Sequence, residues 1–204
     1  MRINKKKFIY LISPNKIYSK FYDDLKEVLK TRKVVIFQLR LKKYSFQQKI
    51  VIGKIIQKIC KKNSVKFIVN DDPILSKKLN ADGCHLGQKD MDIKNARKII
   101  GNKIIGITCH NSIKLAKAAV KDKASYIALG AFFSTTTKKV KFKATTKILN
   151  KVKKLTKTPI VAIGGINFDN YKKLLLNNAN LLAISGYVWN NKKYKPIESI
   201  EKLK

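Results

Sequence analysis

Apolar residues fall along this chain in short continuous runs: Phe8 to Ile12, Val34 to Leu39, Lys66 to Val69, Gly83 to Leu86, Lys103 to Thr108, Tyr126 to Phe133, Pro159 to Ile163 and Leu181 to Ser185. Most of these runs do not alternate with polar residues, as expected of parallel strands covered on both faces. Between them the apolar positions recur at helical spacing, as in Phe21 to Leu29, Ile50 to Cys60, Ile113 to Val120, Ile148 to Leu155 and Tyr171 to Leu176. Strand and helix in regular succession predict an α/β fold with right-handed crossovers. Eight units, with no Gly/Ser/Pro-rich linker and no low-complexity tract, predict one domain over residues 1–204, a closed (β/α)8 TIM barrel. About 25 residues per unit is compact for that architecture and requires short loops. An open flavodoxin-like sheet would leave the last units without a place.

In such a barrel the chemistry lies at the carboxyl ends of the strands. Those ends carry Gln38-Leu39-Arg40-Leu41-Lys42, Asn70-Asp71, Gln88 to Asp90, Thr108-Cys109-His110, Thr135-Thr136-Thr137-Lys138, Gly164-Gly165 and Ser185-Gly186. Gln38, Arg40 and Lys42 occupy alternate positions, so along a strand they project the same way. Thr135, Thr137 and Lys138 belong to a longer loop, Ser134 to about Thr146, expected to close over a ligand. Gly164-Gly165 and Ser185-Gly186 stand where the seventh and eighth strands of a barrel end, positions suited to phosphate because glycine lets backbone N–H groups approach the oxygens.

Charge sharpens this picture. Lys and Arg number 46 against 12 Asp and Glu, a formal net charge of +34. On that background, carboxylates placed directly after apolar runs, Asp71 and Asp90, stand out. Two carboxylates on neighbouring strand ends can hold one Mg2+ and leave its other positions to water and phosphate oxygens, which points to a diphosphate ligand. A pI near 10.2 also raises nucleic-acid binding. Arginine, however, occurs only at Arg2, Arg32, Arg40 and Arg97, and the lysines are spread through the whole chain with abundant Ile and Asn. Bidentate recognition of phosphates and bases favours arginine, so the basicity reads as a compositional habit and no specific nucleic-acid partner is expected. Cys60, Cys84 and Cys109 form no C-x-x-C pair and sit in apolar surroundings, which argues against a disulfide framework or a zinc site and for a reducing, cytoplasmic location. The run Phe8 to Ile12 is too short for a signal peptide, and no run is long enough to span a bilayer.

The motifs at the strand ends, taken in order, carry a resemblance. They are Q-x-R-x-K at Gln38 to Lys42, N-D at Asn70-Asp71, A-D-G-x-H-L-G-Q-x-D at Ala81 to Asp90, G-x-[ST]-x-H at Gly106 to His110, T-x-T-K at Thr135 to Lys138 and A-I-G-G-I at Ala162 to Ile166. From first strand to last the chain resembles the thiamine-phosphate synthase and TenI-like superfamily. The resemblance implies a transferase that joins a hydroxymethylpyrimidine diphosphate to a thiazole phosphate and releases pyrophosphate. It implies Mg2+ at Asp71 and Asp90, and the diphosphate at Arg40, Lys42, Asn70 and Lys138. Gln38 and Thr108 would face the pyrimidine and its leaving group, and Thr135, Thr136, Thr137, Gly164 or Gly165, Ile184 and Ser185 the thiazole phosphate. The chain departs from the family pattern where Thr108 replaces serine, Leu41 glutamate, Ala131 proline, and Asn180-Leu181 Asp-Gly. His85 reads as a hydrogen-bonded wall residue. His110 occupies the position that serves proton transfer in TenI-like thiazole tautomerases, which is the alternative activity; a non-enzymatic basic nucleic-acid-binding protein ranks third. None of the motifs specifies an oligomeric state.

Overall fold

Cover on both sides is what makes strands of the continuous apolar runs. In the computed structural model, which describes residues 8–134 and 143–204, eight parallel strands close in sequence order into a barrel. They are β1 (Ile9–Ile12), β2 (Val34–Leu39), β3 (Lys66–Asn70), β4 (Gly83–Leu86), β5 (Ile104–His110), β6 (Tyr126–Gly130), β7 (Ile160–Ile163) and β8 (Leu181–Ile184). The helices are α1 (Phe21–Lys30), α2 (Phe46–Lys62), α3 (Pro73–Lys78), α4 (Ile93–Ile100), α5 (Ile113–Lys121), α6 (Thr146–Leu155), α7 (Tyr171–Leu176), α8 (Gly186–Trp189) and α9 (Pro196–Glu201). The expected single-domain (β/α)8 barrel is the fold observed.

Alternate residues of each strand feed two separate apolar layers. In β2, Ile36 points inward to pack with Tyr10, Ile12, Ile68, Tyr126 and Val161, while Phe37 and Leu39 join the layer between strands and helices. Fully burying a side chain such as Phe37 contributes about 1.5–3 kcal/mol. Among the described residues no helix is long and apolar enough to cross a membrane. All three cysteines are buried free thiols.

Two short helices, α3 and α4, start at polar caps, and α4 buries a stripe of Ile93, Ala96 and Ile100. Asp72 accepts a hydrogen bond from the Leu75 N–H (2.8 Å), and Asp92 from the Asn95 N–H (2.9 Å). The acidic pair Asp71-Asp72 therefore divides its work, with Asp72 starting α3 and Asp71 left at the strand end. Strand β6 stops at Gly130, short of the expected Phe133. Beyond it the Phe132 and Phe133 N–H groups donate to the carbonyls of Ile163 (3.1 Å) and Gly164 (3.0 Å), drawing the chain over the end of β7.

At the opposite, amino-terminal face one device occurs three times. Asp82, Ser125 and Asn180 directly precede β4, β6 and β8, and their side-chain oxygens accept from the N–H of Phe67 (2.9 Å), Ile105 (3.0 Å) and Ile160 (2.9 Å) at the starts of β3, β5 and β7. Their own N–H groups donate back to the carbonyls of the same three residues. Asn180, a departure from the Asp-Gly pattern, thus supplies with its amide oxygen the acceptor that Asp82 supplies with a carboxylate.

Candidate active site

Strands β2, β3 and β4 bring the charged strand-end residues together. Asp71 follows β3 with φ 64°, a left-handed conformation that Asp tolerates better than most non-glycine residues. A 2.7 Å bond from its N–H to the His85 carbonyl on β4 holds it there. The Asp71 carboxylate meets Lys42 Nζ at 3.2 Å. Asp90 is placed by the turn after β4, where its Oδ2 accepts the Gly87 N–H at 2.7 Å. The two carboxyl groups are near enough to act on each other's charge. Burial and the Asp71 charge raise the Asp90 pKa, against the opposing pull of the Gly87 N–H and Lys42. Arg40 comes from the end of β2, with its N–H donating to Ser13 Oγ (2.9 Å) and its Nη1 to Asn15 Oδ1 (3.2 Å). Desolvation lowers the guanidinium pKa while the Asp71 charge opposes the shift. Asn70 pairs in register with His85 on the same side of the mouth. A cleft of about 480 Å3, lined by Leu39, Lys42, Lys49, Asn70, Asp71 and Met91 among others, opens beside these residues.

Two facing carboxylates fit a hard divalent cation such as Mg2+, which takes oxygen ligands and commonly binds through one or two carboxylates plus substrate phosphates. Among the described residues no group of three or more His, Cys, Asp or Glu side chains is placed to hold a metal alone. A site of this kind is completed by its substrate, and Lys42 and Arg40 supply further positive charge alongside.

Beneath the mouth a band of hydrogen-bonded polar groups crosses the largely apolar interior. Gln38 is 2% exposed and donates from Nε2 to Tyr10 Oη at 2.9 Å. Tyr10 and Tyr126 share a 2.7 Å hydroxyl–hydroxyl bond, His85 Nδ1 lies 2.9 Å from Tyr126 Oη, and His85 Nε2 lies 2.9 Å from Thr108 Oγ1. Gln88 Nε2 donates to the Thr108 carbonyl at 2.6 Å. The two tyrosines are absent from the residues singled out by the sequence. Gly106 makes room for one of them: a Cβ there would lie 1.9 Å from Tyr126 Cζ, so this position of β5 must be glycine for the ring to enter the barrel.

On the far side, Gly164 (φ 106°) and Gly165 (φ 62°) follow β7. A Cβ on Gly164 would lie 2.4 Å from Ala131 Cβ, and one on Gly165 2.2 Å from the Ser134 carbonyl oxygen. These glycines therefore serve close packing of the segment after β6 as well as offering backbone. Ser185 Oγ donates to the Ser13 carbonyl at 3.2 Å. The Ile184 side chain is buried in the helix-facing layer, so only its backbone is available to a ligand at the mouth. His110 ends β5, half-buried, with φ 52°. Thr135, Thr136, Thr137 and Lys138 lie outside the described residues.

Residues 9–188 match the family model described as thiamine monophosphate synthase. The chain is 65% identical over 207 aligned positions, covering 100% of both chains, to a thiamine-phosphate synthase of Pelagibacter ubique (strain HTCC1062). It is 39% identical over 186 positions, 89% of this chain and 87% of the relative, to a thiamine-phosphate synthase of Erythrobacter litoralis (strain HTCC2594). The fold superposes with a TM-score of 0.85 and 28% identity on a thiamine phosphate pyrophosphorylase from Pyrococcus furiosus, over 97% of this chain and 94% of that one.

Proposed function

This chain belongs to the thiamine monophosphate synthase family, and from that membership we propose that it is a Mg2+-dependent thiamine-phosphate synthase, with Asp71 and Asp90 as the metal-holding pair. The observation that carries the reading is the convergence of Asp71, Asp90, Lys42 and Arg40 at the ends of β2, β3 and β4. The reaction breaks the C–O bond between the pyrimidine methylene and the diphosphate, and the electron pair leaves with pyrophosphate. The thiazole nitrogen lone pair then forms the new C–N bond to that methylene. Mg2+ bound at the two carboxylates would supply positive charge opposite the departing oxygens.

The protein's own groups act by position and charge. Lys42 and Arg40 are set to bind the diphosphate and to stabilise its growing negative charge, and Lys138 is assigned the same task. Electron donation from the aminopyrimidine supports positive charge on the methylene, so no nucleophilic side chain is needed. Gln38 and Thr108 orient the pyrimidine end, while the glycines after β7 and Ser185 after β8 offer backbone and hydroxyl contacts to the thiazole phosphate. Holding the two reactants in line converts a bimolecular encounter into a local one. The test is direct. Purified protein given both substrates should form thiamine phosphate and pyrophosphate in equal amounts with Mg2+ and stop when EDTA is added. Product formation unaffected by EDTA would remove the metal from this reading, and absence of both products would remove the activity.

A further inference from the structure

Five side chains from five different strands form one continuous hydrogen-bonded chain across the barrel interior, and we propose that it is a directional positioning device that presents the Thr108 hydroxyl to the substrate as a donor. The inference rests on the synthase reading only in naming what Thr108 faces. The direction follows from counting protons. Gln38 Nε2 carries only hydrogens, so Tyr10 Oη must accept from it. The Tyr10 proton then has the Tyr126 oxygen as its acceptor. Tyr126 in turn gives its proton to His85 Nδ1, which must be bare, so the ring proton sits on Nε2 and is donated to Thr108 Oγ1. The Thr108 hydroxyl proton is thereby turned away from the chain, and Thr108 is half-buried at the mouth. With the Gln38 amide oriented so that Nε2 faces Tyr10, reversing the order would set two donors against each other at this buried link, a costly arrangement.

The packing keeps the links in place. The His85 ring stacks on Tyr126 with centroids 5.6 Å apart and planes 13° from parallel, and Tyr10 meets Tyr126 edge-on at 5.6 Å and 75°. Gly106 provides the space for the Tyr126 ring. Desolvation raises both phenol pKa values, so each hydroxyl keeps the proton it must pass on as a donor. Tyr10, Tyr126 and His85 touch neither reacting group in this scheme and are positioning residues for Thr108.

The experiment combines imidazole 15N NMR with kinetics on the full chain, whose two histidines keep the spectrum simple. In the parent, His85 should carry its proton on Nε2, with Nδ1 bare; a proton on Nδ1 would overturn the proposal without any variant being made. Tyr126→Phe should turn His85 into a mixture of tautomers and lower kcat about tenfold, with the KM for the thiazole phosphate unchanged. Thr108→Val should lose roughly ten- to a hundredfold, and Thr108→Ser, which retains a hydroxyl on the same Cβ, should recover most of that loss. In the double variant Tyr126→Phe/Thr108→Val, the tyrosine change should cost almost nothing further, because the two act on one hydroxyl. Independent, multiplying losses would mean that the chain is only structural. A parent that forms no thiamine phosphate would sink the synthase reading, while the His85 tautomer would still decide the direction of the chain.

Discussion

The two ends of this barrel use the same kinds of polar side chain under opposite conditions. At the amino-terminal face Asp82, Ser125 and Asn180 each accept a backbone N–H from the neighbouring strand, so every one of these oxygens is answered from within the protein. At the carboxyl-terminal face Asp71 and Asp90 stand against each other, with Lys42 beside one of them. Like charges brought together on a folded scaffold cost stability, and the arrangement persists because the backbone holds it, as the left-handed Asp71 tied to the His85 carbonyl illustrates. A carboxylate's surroundings, more than its identity, therefore separate the end that maintains the fold from the end proposed to bind and react.

The largest effect expected from this contrast is on turnover. Asp71→Asn or Asp90→Asn removes a charge from the facing pair and should lower kcat/KM by about two to four orders of magnitude, only partly restored by excess Mg2+. Far-ultraviolet circular dichroism should be unchanged. Steady-state assays over a range of Mg2+ concentrations measure this, and parent-like turnover in both variants would break the contrast.

Next comes a pair that separates two chemistries at the same mouth. Lys138→Ala should slow a synthase about a hundredfold, since one contact to a developing pyrophosphate charge is worth about 3 kcal/mol. His110→Ala should be milder. A tautomerase would show the reverse order, because moving a proton depends on the imidazole and not on a diphosphate clamp. Assaying both variants for pyrophosphate release and for thiazole tautomer exchange decides between them.

How much of this contrast could be read before the fold was seen depends on how local each signal is. The eight strands were legible because a buried parallel strand announces itself over a few consecutive residues, and Asp71 and Asp90 because acid is scarce in this chain. The short helices α3 and α4 were not: α3 holds fewer than two turns, and the stripe that α4 buries, Ile93, Ala96 and Ile100, is only three residues long in a strongly charged setting. Phe132 and Phe133 extended the apolar run of β6, yet their N–H groups bond across to the end of β7, a partner no local pattern names. The same limit hid Tyr10 and Tyr126, 116 residues apart, inside runs that read as plain core. Ile184 was placed correctly at the end of β8, but the alternation of side chains along the strand turns it toward the helices.

At the amino-terminal face the expected effects fall on stability alone. Asp82→Ala and Asn180→Ala each leave a strand N–H without its acceptor and should cost about 1–2 kcal/mol, a fall in Tm of roughly 2–8 °C for a chain of this size. Because both sites lie at the opposite end of the barrel from the mouth, kcat at a temperature well below Tm should stay within about twofold of the parent. Scanning calorimetry beside the turnover assay would show it. A large loss of kcat without a loss of Tm would mean that the two faces are coupled.

The smallest effect tests the contrast most sharply, because it predicts a gain. Asp90→Asn keeps an oxygen able to accept the Gly87 N–H, so the turn after β4 retains its hydrogen bond while the repulsion from Asp71 disappears. Both carboxylates have access to solvent, and Lys42 already offsets part of the charge, so the relief should amount to only about 0.5 kcal/mol. In metal-free buffer the variant should therefore melt about 1–2 °C above the parent. Adding Mg2+ together with pyrophosphate should reverse the order, since ligands that bind only the folded parent raise its Tm and the variant has lost part of their site. A lower Tm for Asp90→Asn without metal would mean that the negative charge itself stabilises the fold, beyond the hydrogen bond from Gly87, and would place the metal-binding charge elsewhere.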